Sequence, residues 1–131
     1  MVSIVELRRI ARGRLRDAEV LLAAGRYDGA IYLCGYAIET ALKARICRTL
    51  KWPGYPSTRR EFEGFQSFRT HDFDALLRLS GIENKIKANH FTAWDTVLKW
   101  DPNVRYSAIG STSSQTAAEM IQSTKALLGV L

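Results

Sequence analysis

Apolar and polar positions along this chain repeat with the period of α-helices. From the N-terminus, Ile4, Leu7, Ala11, Leu15, Ala18 and Leu22 recur at helical spacing, leaving Arg8, Arg9, Arg12, Arg16 and Glu19 mainly elsewhere. Ser3-Ile4-Val5-Glu6 has the form of a capping box, in which Ser3 accepts from the Glu6 amide and Glu6 reaches back. Gly25 suits the end of that helix, and Arg26-Tyr27-Asp28 turns the chain. So short a connection makes the first two helices antiparallel neighbours.

The second helix, from about Asp28 to Leu50, is apolar on most sides, through Ala30, Ile31, Leu33, Cys34, Ala37, Ile38, Ala41, Leu42, Ala44 and Ile46. A helix of that kind is buried by several neighbours, and Gly35 with Ala30, Ala37 and Ala41 permits close approach. Trp52-Pro53-Gly54-Tyr55-Pro56 ends it. Ser57 to Arg69 reads as a long loop pinned by Phe62, Phe65 and Phe68. Thr70-His71-Asp72 opens a third helix, with Thr70 as its N-cap, Phe73, Leu76, Leu77 and Leu79 inward and Gly81 as its stop. A fourth runs from Ile82 to Lys99 through Ile86, Phe91, Trp94, Val97 and Leu98, until Asp101-Pro102-Asn103 breaks it. Val104 to Gly110 reads as a loop. The last helix starts near Ser113 or Ser114 and turns Ala117, Met120, Ile121, Thr124, Leu127 and Leu128 inward. The pattern predicts an all-α fold, an antiparallel up-and-down bundle of four to five helices, in one domain over residues 1–131.

Composition sets outer bounds. A hydrophobic fraction of 47% with 24% charged residues is ordinary for a globular chain and sets disorder aside. Net charge is +6, compatible with polyanionic partners. Six of the basic residues, all Arg, fall within the first 26 positions: Arg8, Arg9, Arg12, Arg14, Arg16 and Arg26. The plain reading of such a run is a solvated helix face. Cys34 and Cys47 lie 13 residues apart on one predicted helix, roughly 20 Å and beyond disulfide reach. No Cys/His grouping suggests a metal, and no cofactor is implied. No segment has the apolar length of a membrane span or the core of a signal peptide, so a soluble cytoplasmic protein is expected.

Ala11-Arg12, Leu15-Arg16-Asp17-Ala18-Glu19 and Gly25-Arg26-Tyr27 stand in and after the first helix. Ala30, Tyr36-Ala37-Ile38-Glu39 and Ala41-Leu42-Lys43-Ala44 follow in the second, then Arg69-Thr70-His71-Asp72-Phe73 and Val104-Arg105-Tyr106. In this order the motifs resemble the HEPN family (higher eukaryotes and prokaryotes nucleotide-binding domain), over about the first 110 residues. The resemblance implies a helical bundle, often homodimeric, working with nucleotides or nucleic acids in toxin–antitoxin, defence or stress systems. It also implies a minimal nucleotidyltransferase as a partner in some cases. The family's ribonucleases carry an Arg, four to six residues of any kind, then a His. Here only His71 and His90 qualify, and the positions at that spacing are Gly64, Phe65 and Gln66, or Glu83, Asn84 and Lys85. None is Arg. Lys85 before His90 leaves a divergent ribonuclease site as the alternative, although Lys lacks the planar fork that clamps phosphate.

Glu39 and Lys43 are spaced for an intrahelical ion pair. On a buried helix Glu39 needs further donors, which Tyr36, His71, Arg105 or Tyr106 could supply. One outcome is a structural polar cluster of Tyr36, Glu39 and Asp72 that fixes the third helix and the 104–106 segment onto the second. The other is a nucleotide or phosphate pocket lined by Lys43, His71, Arg105 and Tyr106. A carboxylate at its centre argues against the pocket, whereas a helix start at His71 argues for it. Trp94, Trp100, Tyr55 and the three phenylalanines exceed what a small core must hold, and are expected to contribute to a homodimer seam or, less so, to stack bases. Ser107, Ser111, Ser113 and Ser114 lack a nucleophile elbow, and Gly110-Ser111-Thr112 is no phosphate loop. The sequence thus predicts a non-catalytic module binding nucleotide, RNA or a nucleotidyltransferase, with a structural homodimer without ligand as a further alternative.

Overall fold

The first helix begins where its cap requires: the Ser3 hydroxyl accepts from the Glu6 amide at 3.2 Å, and the helix ends at Ala23, with Gly25 at φ 75°. The computed structural model describes residues 1–131. Strand β1 (Val2–Ser3) precedes helices α1 (Ile4–Ala23) and α2 (Tyr27–Leu50), followed by strand β2 (Gly54–Tyr55). Helices α3 (Phe73–Ser80), α4 (Glu83–Asn89), α5 (Phe91–Leu98) and α6 (Ser114–Leu128) complete the fold, with 3-10 turns at Gln66–Phe68 and Pro102–Tyr106.

Helix α2 is the spine. It packs against α1, α3 and α6, and Ala30, Cys34, Ala37, Ile38, Leu42, Ile46 and Cys47 are fully enclosed. Glu39 is enclosed with them, 5% exposed. Gly35 is required by what meets it: a Cβ there would lie 1.8 Å from Cε2 of the Trp100 indole. That ring stacks on Phe73 at 5.2 Å between centroids and touches Tyr36 edge-on.

Four expectations need correction. The predicted fourth helix is two, because His90 leaves helical geometry at φ −134°, and the bundle therefore has six helices. The break resets the inward face of α5 onto Trp94 and Val97, so Phe91 (63% exposed) and Leu98 fall at its flanks. The cap of α3 is Asp72, which accepts from the Asp74 and Ala75 amides, while Thr70 accepts only from the Asp72 amide. Trp94, Trp100, Tyr55 and Phe62 are buried within the chain's own core, so of the aromatics expected at a seam only Phe65, 45% exposed, and the half-buried Phe68 reach the surface. Finally, β1 and β2 form an antiparallel ladder, Val2 opposite Tyr55 and Ser3 opposite Gly54. Two residues per strand are too few to show a period-two pattern. Gly54 fits because the Val2 carbonyl would stand 2.7 Å from any Cβ there. No helix is long and apolar enough to cross a membrane.

Candidate functional site

The β1–β2 ladder ties the start of α1 to the segment after α2, and beside it opens a cavity of about 540 Å³. Leu7 and Ile10 of α1, Glu39, Thr40 and Lys43 of α2, Tyr55, and Arg69 to His71 all line it. Residues 39, 40 and 43 reach it together because positions three and four apart share a helix face. Arg69, Thr70 and His71 arrive from the loop that Asp72 ends by capping α3.

Glu39 supplies the back wall. Its side chain is only 7% exposed, and both oxygens are engaged. Oε2 accepts from Lys43 Nζ at 3.3 Å, and Oε1 meets Nδ1 of His71. Since a carboxylate only accepts, Nδ1 is the donor in this contact, which leaves Nε2 as the nitrogen not engaged by Glu39. The His71 side chain is 59% exposed, so that nitrogen is at the mouth rather than in the core. Lys43 Nζ also lies 5.3 Å from the centre of the Tyr55 ring. The Tyr55 hydroxyl donates to the Phe68 carbonyl at 2.5 Å, and burial pushes its pKa up, so it stays neutral. Arg69 sits over Phe62 at 5.8 Å. Thr40 donates back to the Tyr36 carbonyl and is already satisfied.

This arrangement combines two cations, an oriented imidazole and a carboxylate whose charge is balanced locally. It can hold a small polar ligand by donation from Lys43 and Arg69, with apolar contact from Leu7, Ile10 and Tyr55. Of the residues the sequence nominates, Glu39, Lys43 and His71 come together here. Arg105 and Tyr106 do not. Both are exposed on the 3-10 turn, where Arg105 donates to the Pro102 carbonyl and lies 4.7 Å over the Tyr106 ring. Tyr36 pairs with the Tyr32 hydroxyl at 3.5 Å and not with Glu39. Its own hydroxyl is pushed up to about 12 by that contact and by burial. Asp72 spends its carboxylate on the α3 cap and stands outside the Glu39 pairing. Lys85 is exposed on α4 and His90 half-buried at the α4–α5 break, and neither lines the cavity. Arg69 is the cavity residue that the helical pattern passes over. Its signal was its place two residues before His71, in a loop that periodicity does not describe.

The family model for the HEPN domain matches residues 4–60, from α1 through the loop beyond β2. The resemblance carried by the helical hairpin is borne out over that span. No curated protein and no solved structure matches the chain. Glu39, Lys43 and Tyr55 fall inside the matched segment, while Arg69, His71, Arg105 and Tyr106 lie beyond it.

Proposed function

From the premise of a HEPN domain over residues 4–60, we propose that the protein is a non-catalytic nucleotide- or RNA-binding module. Its ligand enters the cavity between α1, α2 and the 69–71 loop. The observation that carries this reading is the convergence of Lys43, Arg69 and His71 on one cavity of nucleotide size, about 540 Å³. In this reading Arg69 and Lys43 meet the phosphate, His71 Nε2 bonds the sugar or base, and the apolar wall holds the base. Glu39 fixes Lys43 and His71 rather than touching the ligand. The setting that fits such a module is a toxin–antitoxin or defence pair in the cytoplasm. A second copy of the chain or a minimal nucleotidyltransferase is its partner there.

Calorimetric titration with AMP and ATP tests the reading. Saturable binding that Lys43→Met and Arg69→Gln abolish supports it, and no heat with either nucleotide overturns the cavity assignment. One observation favours a second reading, a ribonuclease: a buried carboxylate on Nδ1 with Nε2 open is also how a general base is oriented. Incubation with mixed RNA in excess chelator separates the two. Intact RNA supports the binding module. Cleavage lost on His71→Ala would assign the base to that dyad, and cleavage lost on His90→Ala would assign it to the Lys85/His90 site. Either result ends the non-catalytic claim.

A further inference from the structure

A second groove, of about 450 Å³, is edged by Arg8, Arg12 and Arg48 over a floor of Ala11, Leu15 and Ala41, with the segment Leu128–Leu131 completing its lining. The chain's own acids do not neutralise this edge. Glu6 pairs with Arg9, Asp17 with Arg14 and Glu19 with Lys125. Arg45, half-buried on α2, has its Nε enclosed without a hydrogen-bond partner. Burial, and then Arg48 and Arg8, hold its guanidinium below the ordinary value. Arg8, Arg45 and Arg48 are thus crowded on one face with no side-chain carboxylate paired to them, an arrangement that a bound polyanion would relieve.

We infer that this groove is a separate binding site for the phosphodiester backbone of a single-stranded polynucleotide, distinct from the nucleotide cavity and independent of it. Arg8 and Arg12 stand one helical step of four residues apart, about 6 Å along the axis, and Arg16 continues the row. Arg48 faces them from α2, with Arg45 one turn before it and outside the groove's lining. Planar forks repeated along α1 and faced by Arg48 match a ligand that presents charge at every repeat. An extended acidic peptide alternates its carboxylates between faces and satisfies such a row less well. The apolar floor accepts sugar and base faces, which an unpaired strand presents. Backbone contacts carry no preference for the 2′-hydroxyl, so RNA and DNA strands bind alike.

The test is fluorescence anisotropy of a short labelled oligouridylate and its DNA counterpart, titrated at several salt concentrations. Each phosphate contacted contributes about −0.7 to the slope of log affinity against log salt for a single strand. Arg8→Gln/Arg12→Gln is expected to flatten that slope by about 1.4. Arg9→Gln/Arg14→Gln changes net charge equally at arginines already paired elsewhere, and is expected to leave the slope near wild type. Should the first double variant fail to fold by circular dichroism, Arg48→Gln on α2 gives the same test, with a flattening of about 0.7. Equal flattening in both double variants, or flattening in neither, overturns the site. Competition by polyglutamate at equal charge concentration overturns the choice of polynucleotide in favour of an acidic protein. Lys43→Met leaves the slope unchanged, so failure here and failure of the nucleotide cavity are separately visible.

Discussion

Gly35→Ala isolates the packing on which the spine depends. Away from tertiary contacts, alanine in mid-helix is favoured over glycine by about 0.8–1 kcal/mol. Here the added methyl would stand 1.8 Å from Trp100 Cε2 and 2.1 Å from Cδ2 and Nε1, so the indole must move. The ring is 8% exposed, stacked on Phe73 with an interplanar angle of 8° and set against Tyr36 at 5.2 Å. Overpacking of this kind costs about 1–3 kcal/mol, and each disturbed aromatic pair up to about 1 kcal/mol more. Overpacking outweighs propensity. The expected net loss is about 1–4 kcal/mol, a fall in Tm of roughly 5–15 °C for a chain of this size. Urea denaturation followed by circular dichroism reads it, with an unchanged m-value showing that the native state stays compact. A cycle with Trp100→Ala identifies the cause: without the indole, alanine at 35 becomes stabilising by about 1 kcal/mol. A Gly35→Ala protein more stable than wild type would refute the reasoning.

Three further outcomes follow from the geometry. Asp28 Oδ2 accepts from the Gly110 amide at 2.6 Å across 82 residues, and this bond, foremost, holds its pKa below the ordinary 3.8. Because the folded value is the lower one, the latch is complete at neutral pH and is lost as pH falls through that depressed value; Asp28→Asn should speed hydrogen exchange at Gly110 at pH 7, and unchanged exchange counts against the latch. Burial pushes the Cys34 thiol up to about 11 and raises Cys47 as well, so a thiol reagent should find neither in the native protein and both in denaturant, whereas rapid native labelling contradicts the enclosed spine. Glu39→Gln keeps the shape but leaves Lys43 without its counter-charge. An expected loss of about 1–3 kcal/mol, partly restored by Lys43→Met, is measured by urea denaturation; an unchanged midpoint denies that the carboxylate anchors the cluster.

The helical skeleton was legible because its signals are local. Ser3, Gly25, Gly81 and Ser113 each act within one turn, and they begin or end helices as their chemistry dictates. The burial of α2 was legible from an apolar residue on nearly every side. The break at His90 was not, since no proline or glycine marks it and Ile86, Trp94 and Val97 still fit one periodic pattern. In the site, Glu39 and Lys43 announce themselves by spacing on a buried helix. Which donor completes Glu39 was open among four residues, because that choice depends on how loops of different origin fold back. His71 takes the place through the short segment tied down by Asp72, while Arg105 and Tyr106 are carried away on the turn after α5.

The seam between α1 and α2 thereby separates two electrostatic environments made from the same pair of helices. On the cavity side a buried carboxylate balances Lys43 and orients His71, so the field is short-ranged and the donors are held in fixed directions. Sites of that kind discriminate by geometry and respond weakly to salt, because partly buried pairs are poorly screened. On the groove side no side-chain carboxylate pairs with Arg8, Arg12 or Arg48. Under the inference drawn above, the groove's hold on a polynucleotide backbone weakens steeply with ionic strength. The difference originates in one residue choice on α2. Glu39 faces the cavity, while Arg45 and Arg48 lie two turns further along, where no acid of α1 is free to meet them. Under the proposed reading, the groove would gather a strand without regard to sequence and the cavity would select the nucleotide. A helix pair too short to make one extended interface can carry both tasks only because its two faces differ in whether their charge is cancelled.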